Sequence, residues 1–297
     1  SAFANSHHAD GTSASTAVAT GAAALVWQAF PWMSASNVQQ TLLTTATDLG
    51  DPGVDPTYGW GLLDAGAAVQ GPGQFTDAFR ADVPAGQSSR FGNDISGSGG
   101  LIKNGGGSLL LAGNNTYAGG THIAAGTLEL GGQLAGNLST GNGARLLARG
   151  GSVHGDYSAD AGAITGIQIG VPLHIGGTAR LDGTLSLLAP AASYQVAGSE
   201  NLLSAGQVDG SFAAVRPAND LFWDATLEYT ASAVNAHLQR SSATASTQSL
   251  GAPLAVVNGA RQADALVAEL DRRATAQPES GRSDPVWATT SSLLLAV

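Results

Sequence analysis

Cysteine is absent from the 297 residues, so neither a disulfide framework nor a thiolate metal site is available. Charge is scarce at 11% of the chain, aromatics reach only 6%, and methionine occurs once. The twelve Lys and Arg are scattered, with Arg272-Arg273 the only close group, and the formal net charge is −10. A nucleic-acid partner needs clustered cations to meet its phosphates, and this chain offers no such cluster. No run of about 18 apolar residues occurs, which excludes a transmembrane helix. The N-terminus shows no basic segment followed by an apolar one, so it is not a signal peptide. If the protein is exported, its address is expected to lie upstream of Ser1.

What the chain has in excess is glycine. Its 41 residues are roughly double the average share of about 7%, without the strict third-residue period of collagen. They separate short runs of Leu, Ile, Val and Thr, the pattern of many short strands joined by tight turns. Three regions follow. Residues 13 to 69 read as helical, with Val18, Ala22, Leu25, Val26 and Ala29 on one apolar face. Pro31 stops that helix, and Ser34 reads as the N-cap of a second through Val38, Leu42 and Leu43. A Gly-, Pro- and Asp-rich loop from Asp48 to Gly61 precedes a short amphipathic run to Val69. From about Gly97 the texture turns to strands, including Ser108 to Ala112, Thr121 to Ala125, Thr127 to Leu130, Ile164 to Ile169 and Leu227 to Leu238. Their even spacing predicts a parallel β-helix over 97–250, in which each coil hides its apolar face on the next. A β-sandwich fits the same texture less well. Leu109, Leu111, Ile123, Leu128 and Leu130 are expected to point inward, Thr116 to lie on a surface turn, and Asn114-Asn115 to form a turn. After Ser249 a helical stripe returns through Val256, Val257, Ala260, Ala263, Leu266, Val267 and Leu270, and the chain stops at the apolar run Leu293 to Val297.

The chemistry centres on Gly11-Thr12-Ser13-Ala14-Ser15-Thr16, followed by Gly21-Ala22-Ala23-Ala24-Leu25-Val26. A serine at a helix start has free backbone N–H groups and the positive end of the dipole beside it. Both favour the negative charge that develops in acyl transfer. The segment resembles the nucleophile motif of the subtilisin-like (subtilase) serine proteases, written G-T-S-x-A/S-x-P, with Ser13 at the nucleophile and Ala17 where the family has proline. Tyr58-Gly59-Trp60-Gly61-Leu62-Leu63-Asp64-Ala65-Gly66-Ala67-Ala68-Val69 is similar to the segment that closes the catalytic domain in that family. Gly71-Pro72-Gly73-Gln74-Phe75 looks like its autotransporter branch. Residues Gly97 to Thr121, with Lys103, the Gly105-Gly106-Gly107 run and Asn114-Asn115-Thr116-Tyr117, resemble a passenger-associated transport repeat.

That resemblance implies four parts: 1–72 the end of a subtilase catalytic domain, 73–96 a linker, 97–250 a β-helical passenger, and 251–297 a linker helix leading to a translocator barrel. The fold class is then mixed, a helical remnant of an α/β domain followed by an all-β helix. The implied activity is a serine endopeptidase working through an acyl-enzyme on Ser13, in a Gram-negative bacterium, exported to the cell surface or secreted by a type V pathway. Its partners would be a peptide substrate, its own barrel and the outer-membrane assembly machinery. It needs no cofactor or metal. The family's Asp, His and oxyanion Asn precede the nucleophile, and only twelve residues precede Ser13. These residues on their own are therefore expected to show no protease activity, and residues 1–72 to pack poorly. A rival reading is a non-enzymatic passenger, an adhesin or translocation scaffold. His7, His8 and Asp10 read as solvated loop residues rather than a local triad. His122, His154, His174 and His237 are dispersed, and Asp156 and Asp160 read as polar turn residues, so no metal motif is formed.

Overall fold

The computed structural model describes residues 11–188, 198–217, 223–240, 242, 244 and 253–276. Seven alanines supply the helix propensity of α1 (Thr12–Ala29), which ends just before Pro31. Ser34 caps α2 (Ala35–Thr44) by accepting the Asn37 N–H at 3.1 Å, as its sequence position predicts. Asp64 does the same for α3 (Ala65–Ala68), accepting from Ala67 N–H at 2.8 Å.

The rest of the first compact unit is a parallel β-helix. Its first coil holds β1 (Phe79–Asp82) and β2 (Ser88–Phe91). The second holds β3 (Leu101–Asn104), β4 (Ser108–Leu111) and β5 (Asn114–Asn115). The third is β6 (Thr121–Ile123), β7 (Thr127–Leu130) and β8 (Gln133–Leu134). The fourth is β9 (Leu138–Thr140), β10 (Arg145–Ala148) and β11 (Ser152–Val153). Then come β12 (Tyr157–Ala159), β13 (Ile164–Gln168), the long β14 (Leu173–Leu181), β15 (Thr184–Leu188), β16 (Gly198–Gly210) and β17 (Ala214–Pro217). Strands β18 (Trp223–Tyr229) and β19 (Ala233–Arg240) complete the set. One sheet runs β1-β3-β6-β9-β12-β14, and a second runs β2-β4-β7-β10-β13-β15-β17.

Register stacks like on like. Leu109 lies against Leu128, Leu128 against Leu146, Leu146 against Thr165 and Thr165 against Leu185, all fully buried. Leu111, Leu130, Ala148 and Ile167 form a parallel column. Alternation along each strand is what allows this, since successive side chains leave on opposite faces. The five inward residues expected from the sequence are buried, and Thr116 is exposed. Corners are stitched by short polar side chains that accept an N–H of the next coil. Asp94 takes that of Asn114, Asn137 that of Asp156, and Asn142 that of Gly162, at 2.6 to 2.8 Å.

Three expectations change. The segment 73–96 is more than a linker, because β1 and β2 pair in parallel with β3 and β4. Its Phe79-Arg80-Ala81-Asp82 strand lacks the glycine frame that marks later coils. Asn114-Asn115 is a short strand rather than a turn, and Asn115 is buried, donating from Nδ2 to the carbonyls of Gly113 and Gln133. The helices do not all pack poorly. Val26, Phe30, Met33, Val38 and Ala68 join one core with Phe75, Phe79 and Phe91. Phe30 and Phe79 meet the Phe91 ring edge-on, with centroids 5.5 and 5.8 Å away. The Trp32 indole donates to Ser89 Oγ at 2.6 Å. The helices thus cover the first coil, an edge that would otherwise be open. Val18 and Leu25 nevertheless stay exposed, at 65% and 48%.

The second compact unit contains α4 (Leu254–Ala276). Within it Asp264 accepts from Ser242 Oγ at 2.7 Å and from Thr244 N–H at 2.9 Å. Glu269 pairs with Arg273 and Arg272 one turn on, and both hold its carboxyl below the usual range. Of the predicted stripe, Val257 and Ala260 are buried while Val256 and Leu266 are exposed. Among the described residues no helix is long and apolar enough to cross a membrane.

Candidate functional site

Ser13 occupies the second position of α1 and is exposed. Gly11 stands at the N-cap with φ +107°, and a Cβ there would meet open space. Glycine is therefore needed for the backbone angle and not for room. The N–H groups of Ala14 and Ser15 both turn back to the Gly11 carbonyl, at 3.1 and 3.2 Å. Farther along, Thr16 and Thr20 hydroxyls donate to carbonyls one turn earlier, at 2.8 and 2.9 Å, which leaves the helix surface smooth and small.

The loop behind α2 is built as tightly. Asp55 Oδ1 accepts the N–H groups of Thr57 and Tyr58, at 2.7 and 2.8 Å. Thr47 and Leu62 exchange two backbone bonds of 2.7 and 2.8 Å. Gly61 lies so close to that bridge that a Cβ would fall 2.1 Å from the Thr47 carbonyl oxygen. The Gly-x-Gly spacing read from the sequence thus serves close backbone approach.

His7, His8 and Asp10 lie outside the described residues. Three of the solenoid histidines take local partners. His122 Nδ1 lies 2.8 Å from Ser139 Oγ, His174 Nδ1 lies 2.6 Å from Ser204 Oγ, and His237 faces Glu228 at 3.3 Å. Asp156 accepts the Thr178 N–H at 2.8 Å. Among the described residues no group of three or more His, Asp and Glu could hold a metal ion.

Sequence reasoning passed over the side chain that anchors the transport-repeat segment. Lys103 is fully buried, and its ammonium donates to the carbonyls of Asn104, Gly105 and Ala125, at 2.6, 3.0 and 3.2 Å. It ties its own corner to the next coil. Burial pushes it down from 10.5 to about 8, against the pull of the Asp82 carboxylate. Between those two values the unfolded chain holds a proton that the folded lysine has given up. Stability from this group therefore rises with pH across that window. Above pH 10 the trend is opposed, because burial pushes the Tyr117 and Tyr157 hydroxyls up. Urea unfolding of the parent and of Lys103→Met should show the parent gaining on the variant between pH 8 and 10, by on the order of 2 kcal/mol. A difference that stays flat across that window would contradict the assignment.

Comparison with known proteins matches the two halves separately. The Subtilase family matches residues 5–61, and the passenger-associated-transport-repeat family matches residues 101–130. The Neisserial autotransporter lipoprotein NalP of Neisseria meningitidis serogroup B (strain ATCC BAA-335 / MC58) is 45% identical over a stretch covering 58% of this chain and 17% of that protein. An extracellular serine protease of Serratia marcescens is 34% identical, over 47% of this chain and 17% of that protein. Serotype-specific antigen 1 of Mannheimia haemolytica is 32% identical, over 59% and 19%. The chain thus spans less than a fifth of the length of these relatives. With a subtilase-type segment packed on a β-helix that carries a transport repeat, the chain is similar to part of a subtilase-like autotransporter passenger.

Proposed function

We propose that the whole protein is an exported serine endopeptidase in which Ser13 is the nucleophile. The observation that carries this is the exposed Ser13 in the first turn of α1, behind a glycine at φ +107°, within the residues matched by the Subtilase family. In this reading Ser13 Oγ attacks the carbonyl carbon of a peptide bond while a histidine base takes its proton. The oxyanion that forms meets the positive end of α1. The amine leaves with the proton, giving an acyl-enzyme on Ser13, and water attacks that ester to release the acid and restore the hydroxyl.

The base and its orienting carboxylate would come from other elements of the subtilase domain. Exposure of Val18, Leu25 and Trp27 on α1 and of Leu62 on the loop after α2 supports this reading. We assign residues 1–72 to the end of that domain, 73–250, with the first coil included, to the passenger, and 251–297 to the linker before a translocator barrel. The named autotransporters among the relatives support display at the cell surface or release from it, with a barrel and the outer-membrane machinery as partners. A serine-directed covalent inhibitor should stop peptide hydrolysis by the whole protein. Hydrolysis that survives full modification would remove this reading.

A further inference from the structure

The outward side chains of one sheet fall into a single row, because its coils stay in register. Ile102 lies against His122, His122 against Ser139, Ser139 against Ser158, and Ser158 against Arg180. Coils are about 4.8 Å apart, so His122 and Arg180 bracket about 14 Å. The two serines between them are short, and Asn137 and Asp156 form the adjoining corner. The result is a groove of about 430 Å³ running along the solenoid axis.

Its polar groups are already oriented. His122 Nδ1 is 2.8 Å from Ser139 Oγ. Asn137 Oδ1 accepts the Asp156 N–H, and Asp156 Oδ1 accepts the Thr178 N–H, each at 2.8 Å. The Arg180 guanidinium stays 3.9 Å from Asp156, and more than half of its side chain is exposed.

The lining decides what could bind. The main chain here is closed, since the N–H groups of Leu101, Thr121 and Leu138 donate to the next coil at 2.8 to 2.9 Å. An added peptide strand would find no free edge. The row offers one aliphatic group, the half-buried Ile102, which is too little for an acyl chain. One guanidinium lines the groove, beside Asp156 and in register with Asp209, and in a chain of net charge −10 it does not suit a polyanion such as a phosphate backbone. A ligand rich in hydroxyls does fit, because hydroxyls donate and accept as the serines, Asn137 and His122 require. A carboxylate on that ligand would meet Arg180 through paired N–H groups.

We propose that this groove binds an oligosaccharide bearing a single carboxylate along the solenoid axis, with that carboxylate on Arg180 and hydroxyls on Ser139, Ser158 and His122. The site is separate from Ser13, and its test does not depend on proteolysis. Titration calorimetry of the chain with a tetrasaccharide that carries one glucuronate (aldotetraouronic acid) should give saturable binding. Arg180→Ala removes the carboxylate partner, and Ser158→Leu fills the groove. Each should weaken binding about ten-fold or more, as loss of a charged hydrogen bond does, with circular dichroism showing the fold intact. Arg149→Ala, which breaks an ion pair with Glu129 on the other sheet, should bind like the parent. Neutral maltotetraose should bind at least ten-fold more weakly. Three results would overturn the proposal: no saturable binding of the monoglucuronate tetrasaccharide, equal binding by the parent and both groove variants, or tetra-alanine binding more tightly than the saccharide.

Discussion

Replacing Ser13 by alanine in the whole protein should lower kcat about a million-fold, because the members of a serine triad act as a unit. Removing the hydroxyl leaves no atom to carry the acyl group, so residual hydrolysis would rest on binding and oxyanion stabilisation alone. KM should move little, since Ser13 Oγ bonds substrate covalently and does not set its affinity. Thr20→Ala supplies the control. That hydroxyl lies about two turns farther along α1 and only donates to the Thr16 carbonyl. Its loss should leave kcat within a few-fold. A Ser13→Ala enzyme with near-parent kcat in a peptide assay would mean that another residue is the nucleophile.

Leu128→Asp is expected to cost several kcal/mol of folding stability, enough to lower the melting midpoint by roughly 10 °C or more. Leu128 is fully buried, with Leu109 on the coil before and Leu146 on the coil after. A carboxylate placed between them has no partner, so it must either stay charged in an apolar column or hold a proton at neutral pH. Either course draws on a total stability that is seldom above about 15 kcal/mol. The effect should spread beyond one coil, because each coil is stabilised by its neighbours. Thr116→Asp, at an exposed corner, should change stability by no more than about 0.5 kcal/mol. Melting the two variants of the full chain by circular dichroism separates these outcomes, and a Leu128→Asp midpoint equal to the parent would break the register.

The parts legible in the sequence are those where one local rule decides the structure. Alternating Leu109, Leu111, Leu128 and Leu130 announced inward faces, and Ser34 announced a cap. Ser13 was placed at a helix start by its glycine and small neighbours. Features that depend on which coil meets which were not legible. Coil lengths vary, so nothing in the spacing of His122, Ser139, Ser158 and Arg180 shows that they share a row. The strand Phe79-Arg80-Ala81-Asp82 carries two charges and no flanking glycine, so the first coil reads as a linker, although the Phe79 and Phe91 rings are both buried and meet edge-on. Asn115 looked like a turn residue because asparagine favours turns. Here its amide bonds two coils from inside. Lys103 gave no hint of burial, since lysine is almost never fully buried unless its charge is met; three carbonyls meet it.

The most direct test of the central claim is covalent labelling of the whole protein with a fluorophosphonate, followed by mass-spectrometric location of the adduct. The account predicts one adduct, on Ser13, that disappears in Ser13→Ala. An adduct on any other serine, or an active peptidase that takes up no label at Ser13, would contradict it.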